Sequence, residues 1–153
     1  MKIGILSDTH DNLPLIKKAV DYFNNLKVDL VLHAGDYIAP FSVKALNLLN
    51  CPWQGVFGNN DGEKRGLTAV SQGKIKEPPL FLDLNAKRIV LVHEFRKDLD
   101  ADIIICGHTH IPEIKKQENV LVVNPGEVCG WLNNKSTLAV LDLGSMAAEI
   151  IDL

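Results

Sequence analysis

Seven residues able to bind divalent cations stand just behind short apolar runs. Ile3–Leu6 leads into Asp8-Thr9-His10, and Leu30–Leu32 into Gly35-Asp36. Gln54–Phe57 leads into Gly58-Asn59-Asn60-Asp61, Ile89–Val92 into His93, and Ile103–Cys106 into Gly107-His108-Thr109-His110. Asp8 and His10 are two positions apart and face one side of an extended chain, so both can reach one cation. Asp36 follows a glycine, which lets the chain turn sharply while the carboxylate projects. Its two oxygens could join two cations, which makes Asp36 the candidate bridge. Asn59 could lend its carbonyl oxygen, and Asp61 could support the turn or orient another ligand. His108 and His110, two apart behind a glycine, form the strongest single element. One cation rarely needs seven such ligands, whereas two cations sharing a carboxylate do. Such a pair, roughly 3.5–4 Å apart, acidifies a bridging water and orients a phosphate, which points to a dinuclear metal hydrolase. The glycine loops lack the spacing of a phosphate-binding Walker loop, and no Ser-His-Asp order competes.

To bring these residues together, the apolar runs must be buried parallel strands, whose carboxyl ends form the ligand-binding edge of an open α/β sheet. Helix signals separate the early runs. Asp11 is a plausible N-cap, Pro14 falls in the first turn, and Leu13, Ile16, Ala19, Val20, Phe23 and Leu26 recur at helical spacing. Pro40 opens a second helix, and a short third covers Glu63–Ser71. The second half is strand-rich. Leu80–Leu84 and Arg88–Val92 flank a hairpin signal, followed by strands at Val120–Val123, Thr137–Leu143 and Ala148–Leu153. The expectation is an α/β fold of two stacked mixed sheets with helices outside, as one domain over residues 1–153.

The composition fits a soluble protein. Apolar residues make up 46% and charged residues 23%, and the formal charge of −3 offers no basic patch for nucleic acid. No run approaches a membrane span and no signal peptide is evident, so the expected compartment is the cytoplasm. Cys51, Cys106 and Cys129 match no zinc or redox spacing and read as reduced thiols.

The series Asp8-x-His10, Gly35-Asp36, Gly58-Asn59-x-Asp61, His93 and Gly107-His108-x-His110 resembles the calcineurin-like metallophosphoesterases. The start Ser7-Asp8-Thr9-His10 and the late Asn124-Pro125-Gly126 are similar to the YfcE/MJ0936-type phosphodiesterase subfamily. The resemblance implies a four-layer αββα sandwich. It implies Asp8, His10, Asp36 and His110 around one metal, and Asp36, Asn59, His93 and His108 around the other. A bridging hydroxide would attack the phosphorus of a small-molecule phosphodiester. The implied cofactors are two divalent ions, Mn²⁺ or Ni²⁺ first, with Zn²⁺, Fe²⁺ or Co²⁺ as alternatives. Relatives often form dimers or larger assemblies, so a homo-oligomer is a further expectation. Asp36, Asn60 and Asp61 are the candidate catalytic residues.

The sequence departs from the family in three places. Asn60 replaces a histidine thought to protonate the leaving group or hold the phosphate, and it cannot donate a proton near neutral pH. Phe95 replaces a second, substrate-side histidine; it either meets an ester group or packs into the core. The nine residues Glu94–Asp102 are short for a crossover, predicting a tight loop or single helical turn and an open flank. These losses keep a non-catalytic scaffold of the same fold, or a phosphomonoesterase or nucleotidase, as alternatives. His33 reads mostly as structural, and Trp53 and Trp131 as core or subunit contacts.

Overall fold

The computed structural model describes residues 1–153. Strands β1 (Lys2–Leu6), β2 (Leu30–His33) and β3 (Trp53–Val56) lie parallel, with Ile3 opposite Leu30 and Val31 opposite Trp53. The short β4 (Ile75–Lys76) extends this sheet on one side. Antiparallel β10 (Thr137–Asp142) and β11 (Ala147–Asp152) complete it on the other, in the order β11-β10-β1-β2-β3-β4. The centre of the second sheet, β6 (Lys87–Leu91), β7 (Ile103–Ile105) and β9 (Val120–Pro125), is parallel. Its edges, β5 (Leu80–Leu84) and β8 (Pro112–Gln117), pair antiparallel, giving the order β5-β6-β7-β9-β8.

Alternation along the strands sorts residues into layers. Ile3, Ile5, Leu30 and Leu32 meet Ile89, Leu91, Ile103 and Ile105 between the sheets. Leu6, Val31 and Trp53 face the other way, onto the helices. Helix α1 (Leu13–Leu26) buries Ile16, Ala19, Val20 and Phe23, one stripe at the helical period. Helices α2 (Pro40–Leu46) and α3 (Lys64–Val70) cover the same face through Val43, Leu46 and Leu67.

The stacked mixed sheets agree with the sequence reading. The outer layer of the second sheet is thin, because all three helices lie on the first. There Val90, Val92, Ile104, Cys106 and Val122 are covered by Phe95, Leu99 and Ala101 of the short connection. Phe95 therefore packs on the sheet's outer face, with the Lys115 ammonium 5.4 Å from its ring centre.

One local expectation is corrected. Asn12, not Asp11, precedes α1, and its side chain makes no cap bond. The Asn12 amide donates instead to the Cys129 carbonyl, while the Asp11 carboxylate accepts from Ala39 N, so both side chains are spent tying loops together. Two strands, β4 and β8, had no clear sequence signal. Trp53 is buried in the helical core, as one of the two expected roles requires, and Trp131 is 62% exposed, outside the core clusters.

Candidate metal centre

Each parallel strand delivers one loop to the same edge of the molecule. Backbone bonds knit the loops: Asp8 N donates to Gly35 O, Thr9 N to Asp36 O, Gly107 N to His93 O, and Cys129 N to Asp8 O, at 2.9–3.1 Å. Gly107 is required by close approach, since a Cβ there would collide with the Ser7 hydroxyl and lie 2.7 Å from Asp8 Oδ2. Asp8, His10, Asp36, His108 and His110 all have positive φ, between 37° and 69°. L-residues rarely adopt that region, and such strain is held where surrounding contacts over-determine it, commonly at functional sites.

The seven predicted ligands converge. His110 Nε2 lies 3.3 Å from Asp8 Oδ1, and His10 Nε2 lies 3.8 Å from the same oxygen. Asp36 Oδ2 is 3.5 Å from His10 Nε2 and 3.5 Å from His93 Nε2. Asn59 Oδ1 lies 2.8 Å from His93 Nε2 and 2.9 Å from His108 Nδ1. The shortest contacts thus fall into two sets, Asp8 with His10 and His110, and Asn59 with His93 and His108, and Asp8 also comes within 4.8 Å of donor atoms of Asp36 and His93. Asp36 Oδ2 lies between the two sets. Asp8 Oδ1 and His10 Nε2 are buried and lack hydrogen-bond partners. Orphaned buried polar atoms are rare and demand an explanation, and carboxylate, imidazole and amide donors suit a divalent cation. The residues present therefore fit a metal centre.

The electrostatics match close, buried charge. Burial alone would raise the Asp8 pKa, but the neighbouring His10, Ser7, His93 and His110 hold it below the usual range. Asp8 in turn raises His10, against burial. Cys129 Sγ also comes within 4.8 Å of donor atoms of His10 and His110. Its thiol is pushed up to about 12, chiefly by burial, and donates to Glu127 Oε2 at 3.0 Å.

The remaining candidates serve as supports. Asp61 accepts four backbone N–H groups: Asp36 N and Gly58 N at Oδ2, Tyr37 N and Ile38 N at Oδ1, at 2.7–3.0 Å. Its carboxylate staples the Asp36 loop to the Asn59 loop and has no free face for a substrate. Burial raises its pKa against these bonds. Asn60 N and Nδ2 donate to the two oxygens of Asp36, and its side chain stands at the exposed rim. His33 is buried and stacked 3.8 Å from Tyr37, and burial drives its pKa down to about 3. It accepts from Gly35 N and meets Thr9 Oγ1, which is a structural role. Asn124 borders the site, donating to Gly107 O and Thr109 Oγ1 and so holding the histidine turn.

One residue escaped the sequence reading. Glu127 is buried behind β9, and its carboxylate accepts from His110 Nδ1 at 2.7 Å and from Leu132 N and Asn133 N. Burial would raise it, but the bonds from His110, Cys129 and the two amides hold it near a pKa of about 2. The signal was present: Val120–Val123 is a sixth apolar run with a carboxylate beyond its turn.

Residues 1–146 match the calcineurin-like phosphoesterase superfamily domain. The phosphodiesterase MJ0936 of Methanocaldococcus jannaschii is 36% identical, the alignment covering 93% of each chain. The solved structure of an archaeal phosphodiesterase superposes with a TM-score of 0.92 at 34% identity, over 100% of both chains. The YfcE phosphoesterase of E. coli shares the fold, with a TM-score of 0.81 at 22% identity over 99% of this chain and 98% of that one.

Proposed function

The chain belongs to the calcineurin-like phosphoesterase superfamily, and we propose that it is a dinuclear metal-dependent phosphodiesterase. Asp8, His10, Asp36 and His110 would hold one divalent ion, and Asp36, Asn59, His93 and His108 the other. The observation that carries the reading is the position of Asp36 Oδ2, 3.5 Å from an imidazole nitrogen of each donor group. Mn²⁺ or Ni²⁺ fits this mixed oxygen and imidazole set, with Zn²⁺, Fe²⁺ and Co²⁺ as alternatives. Two such ions would acidify a shared water, neutralise charge on the phosphoryl oxygens and favour in-line displacement.

The protein's own groups orient this chemistry. His93 Nδ1 lies 2.7 Å from the Ala34 carbonyl, which can only accept, so the proton sits on Nδ1 and Nε2 presents its lone pair to the centre. Asp61 sets the Asp36 backbone. Asn60, at the rim, can donate a hydrogen bond to a phosphoryl oxygen but has no proton to give a leaving group. No helix walls the flank beside His93, which suits an open site for small diesters.

The test is hydrolysis of bis-p-nitrophenyl phosphate and p-nitrophenyl phosphate by protein reconstituted with Mn²⁺ or Ni²⁺. The diester should turn over with the larger kcat/KM. A preference for the monoester would make the protein a phosphomonoesterase, and binding of metal without hydrolysis of either would favour the scaffold.

A further inference from the structure

The segment after β9 touches one donor group and not the other. Glu127 Oε2 accepts from His110 Nδ1 at 2.7 Å, and Asn133 Nδ2 donates to the His110 carbonyl at 2.9 Å. Trp131 Nε1 donates to the His10 carbonyl at 3.3 Å. His10 and His110 are both held at positive φ, 37° and 62°, and these are the bonds their carbonyls receive from this segment. The segment therefore grips both imidazole-bearing residues that flank Asp8.

Anchoring a turn does not explain the second oxygen of Glu127. Oε1 accepts from Leu132 N at 3.0 Å and Asn133 N at 2.6 Å, which closes the turn, and Oε2 takes only a second, longer arm from Leu132 N at 3.2 Å. Oε2 is aimed at the His110 ring and is held there by the Cys129 thiol at 3.0 Å. Burying a carboxylate is costly unless its lone pairs are matched, and here donors surround both oxygens. The equivalent bond on the other side, from His93, goes to a neutral carbonyl. A carboxylate partner makes an imidazole a stronger ligand than a carbonyl does.

We propose that Glu127 is a positioning residue for the metal centre: it keeps the His110 proton on Nδ1, leaves Nε2 bare, and makes the Asp8–His10–His110 side the tighter of two sites. The inference about affinity rests on the metal reading above, whereas the inference about the proton does not. Glu127→Gln is the informative variant. Its oxygen can still accept from Leu132 N and Asn133 N, so the turn survives. Its NH₂ then faces His110 Nδ1, which must accept, and the ring proton moves to Nε2, the atom a cation needs.

Two measurements test this. Imidazole ¹⁵N spectra of metal-free protein, at alkaline pH where the ring is neutral, should show His110 protonated on Nδ1 in the wild type and on Nε2 in Glu127→Gln. A wild-type ring protonated on Nε2 overturns the proposal without any variant. Calorimetric titration with Mn²⁺ should show the tighter of two steps weakened about 10–100-fold in Glu127→Gln, with the other nearly unchanged. Equal weakening of both steps, or of neither, overturns it. In a His110→Ala background, adding Glu127→Gln should change Mn²⁺ affinity no further; a further loss would mean that Glu127 acts elsewhere. Absence of any Mn²⁺ binding by the wild type would sink the metal reading and the affinity claim, while the ¹⁵N result would still decide the proton claim.

Discussion

Replacing Asp61 with asparagine should loosen the Asp36 loop. The carboxylate takes two N–H bonds on each oxygen, from Asp36 and Gly58 on Oδ2 and from Tyr37 and Ile38 on Oδ1. Asparagine keeps one accepting oxygen and turns an NH₂ toward the other pair, leaving two N–H groups facing a donor. At ~1–3 kcal/mol for each unsatisfied buried group, the loss is about 2–6 kcal/mol. Burial of the charge pushes the Asp61 pKa up, so removing the charge returns part of that cost. The net expectation is a loss of about 2–4 kcal/mol, or about 5–15 °C in Tm for a chain of this size. Urea and thermal unfolding of metal-free protein measure it directly. Mn²⁺ affinity should fall as well, because Asp36 and Ile38 are held at φ of 62° and 84° beside the lost bonds. A stability change under about 1 kcal/mol, with Mn²⁺ binding intact, would refute the view that Asp61 staples the two loops.

Gly107→Ala should cost about 1–3 kcal/mol by overpacking against Ser7 and Asp8, and Ser7→Gly should recover only part of it, because the Asp8 contact remains, as denaturant unfolding of the double variant will show. Phe95→Ala should lower stability by about 1–3 kcal/mol, less than for a fully buried phenylalanine, and leave KM for aryl diesters unchanged in steady-state kinetics. With Asn60 unable to supply a proton, wild-type turnover should favour nitrophenolate over alkoxide leaving groups. Asn60→His should narrow that gap by up to about 10²–10⁴-fold, and a flat leaving-group dependence in the wild type, with chemistry rate-limiting, would count against it.

The site was more legible than its supports. Carboxylates, amides and imidazoles behind buried apolar runs are conspicuous, and parallel strands bring such ends to one edge whatever the loops do. Glu127 follows the same grammar, but Asn124-Pro125-Gly126 reads as an ordinary turn, and nothing local reveals that the next carboxylate folds back onto His110. The left-handed backbone at Asp8, His10, Asp36, His108 and His110 gave no sign either, because none is a glycine. β8 was illegible for a different reason. Pro-Glu-Ile-Lys-Lys-Gln is exposed at all six positions and has no alternation, and its conformation comes from pairing with β9. Phe95 could not be placed from sequence, because its position depends on the uncovered face of Val90, Ile104 and Val122.

The central claim is that Asp36 is shared by two cations. Titration of the metal-free protein with Mn²⁺, followed by electron paramagnetic resonance and elemental analysis, tests it most directly. Two ions per chain with exchange coupling between them are expected, and loss of that coupling in Asp36→Asn. One ion per chain, or two that remain magnetically independent in the wild type, would contradict it.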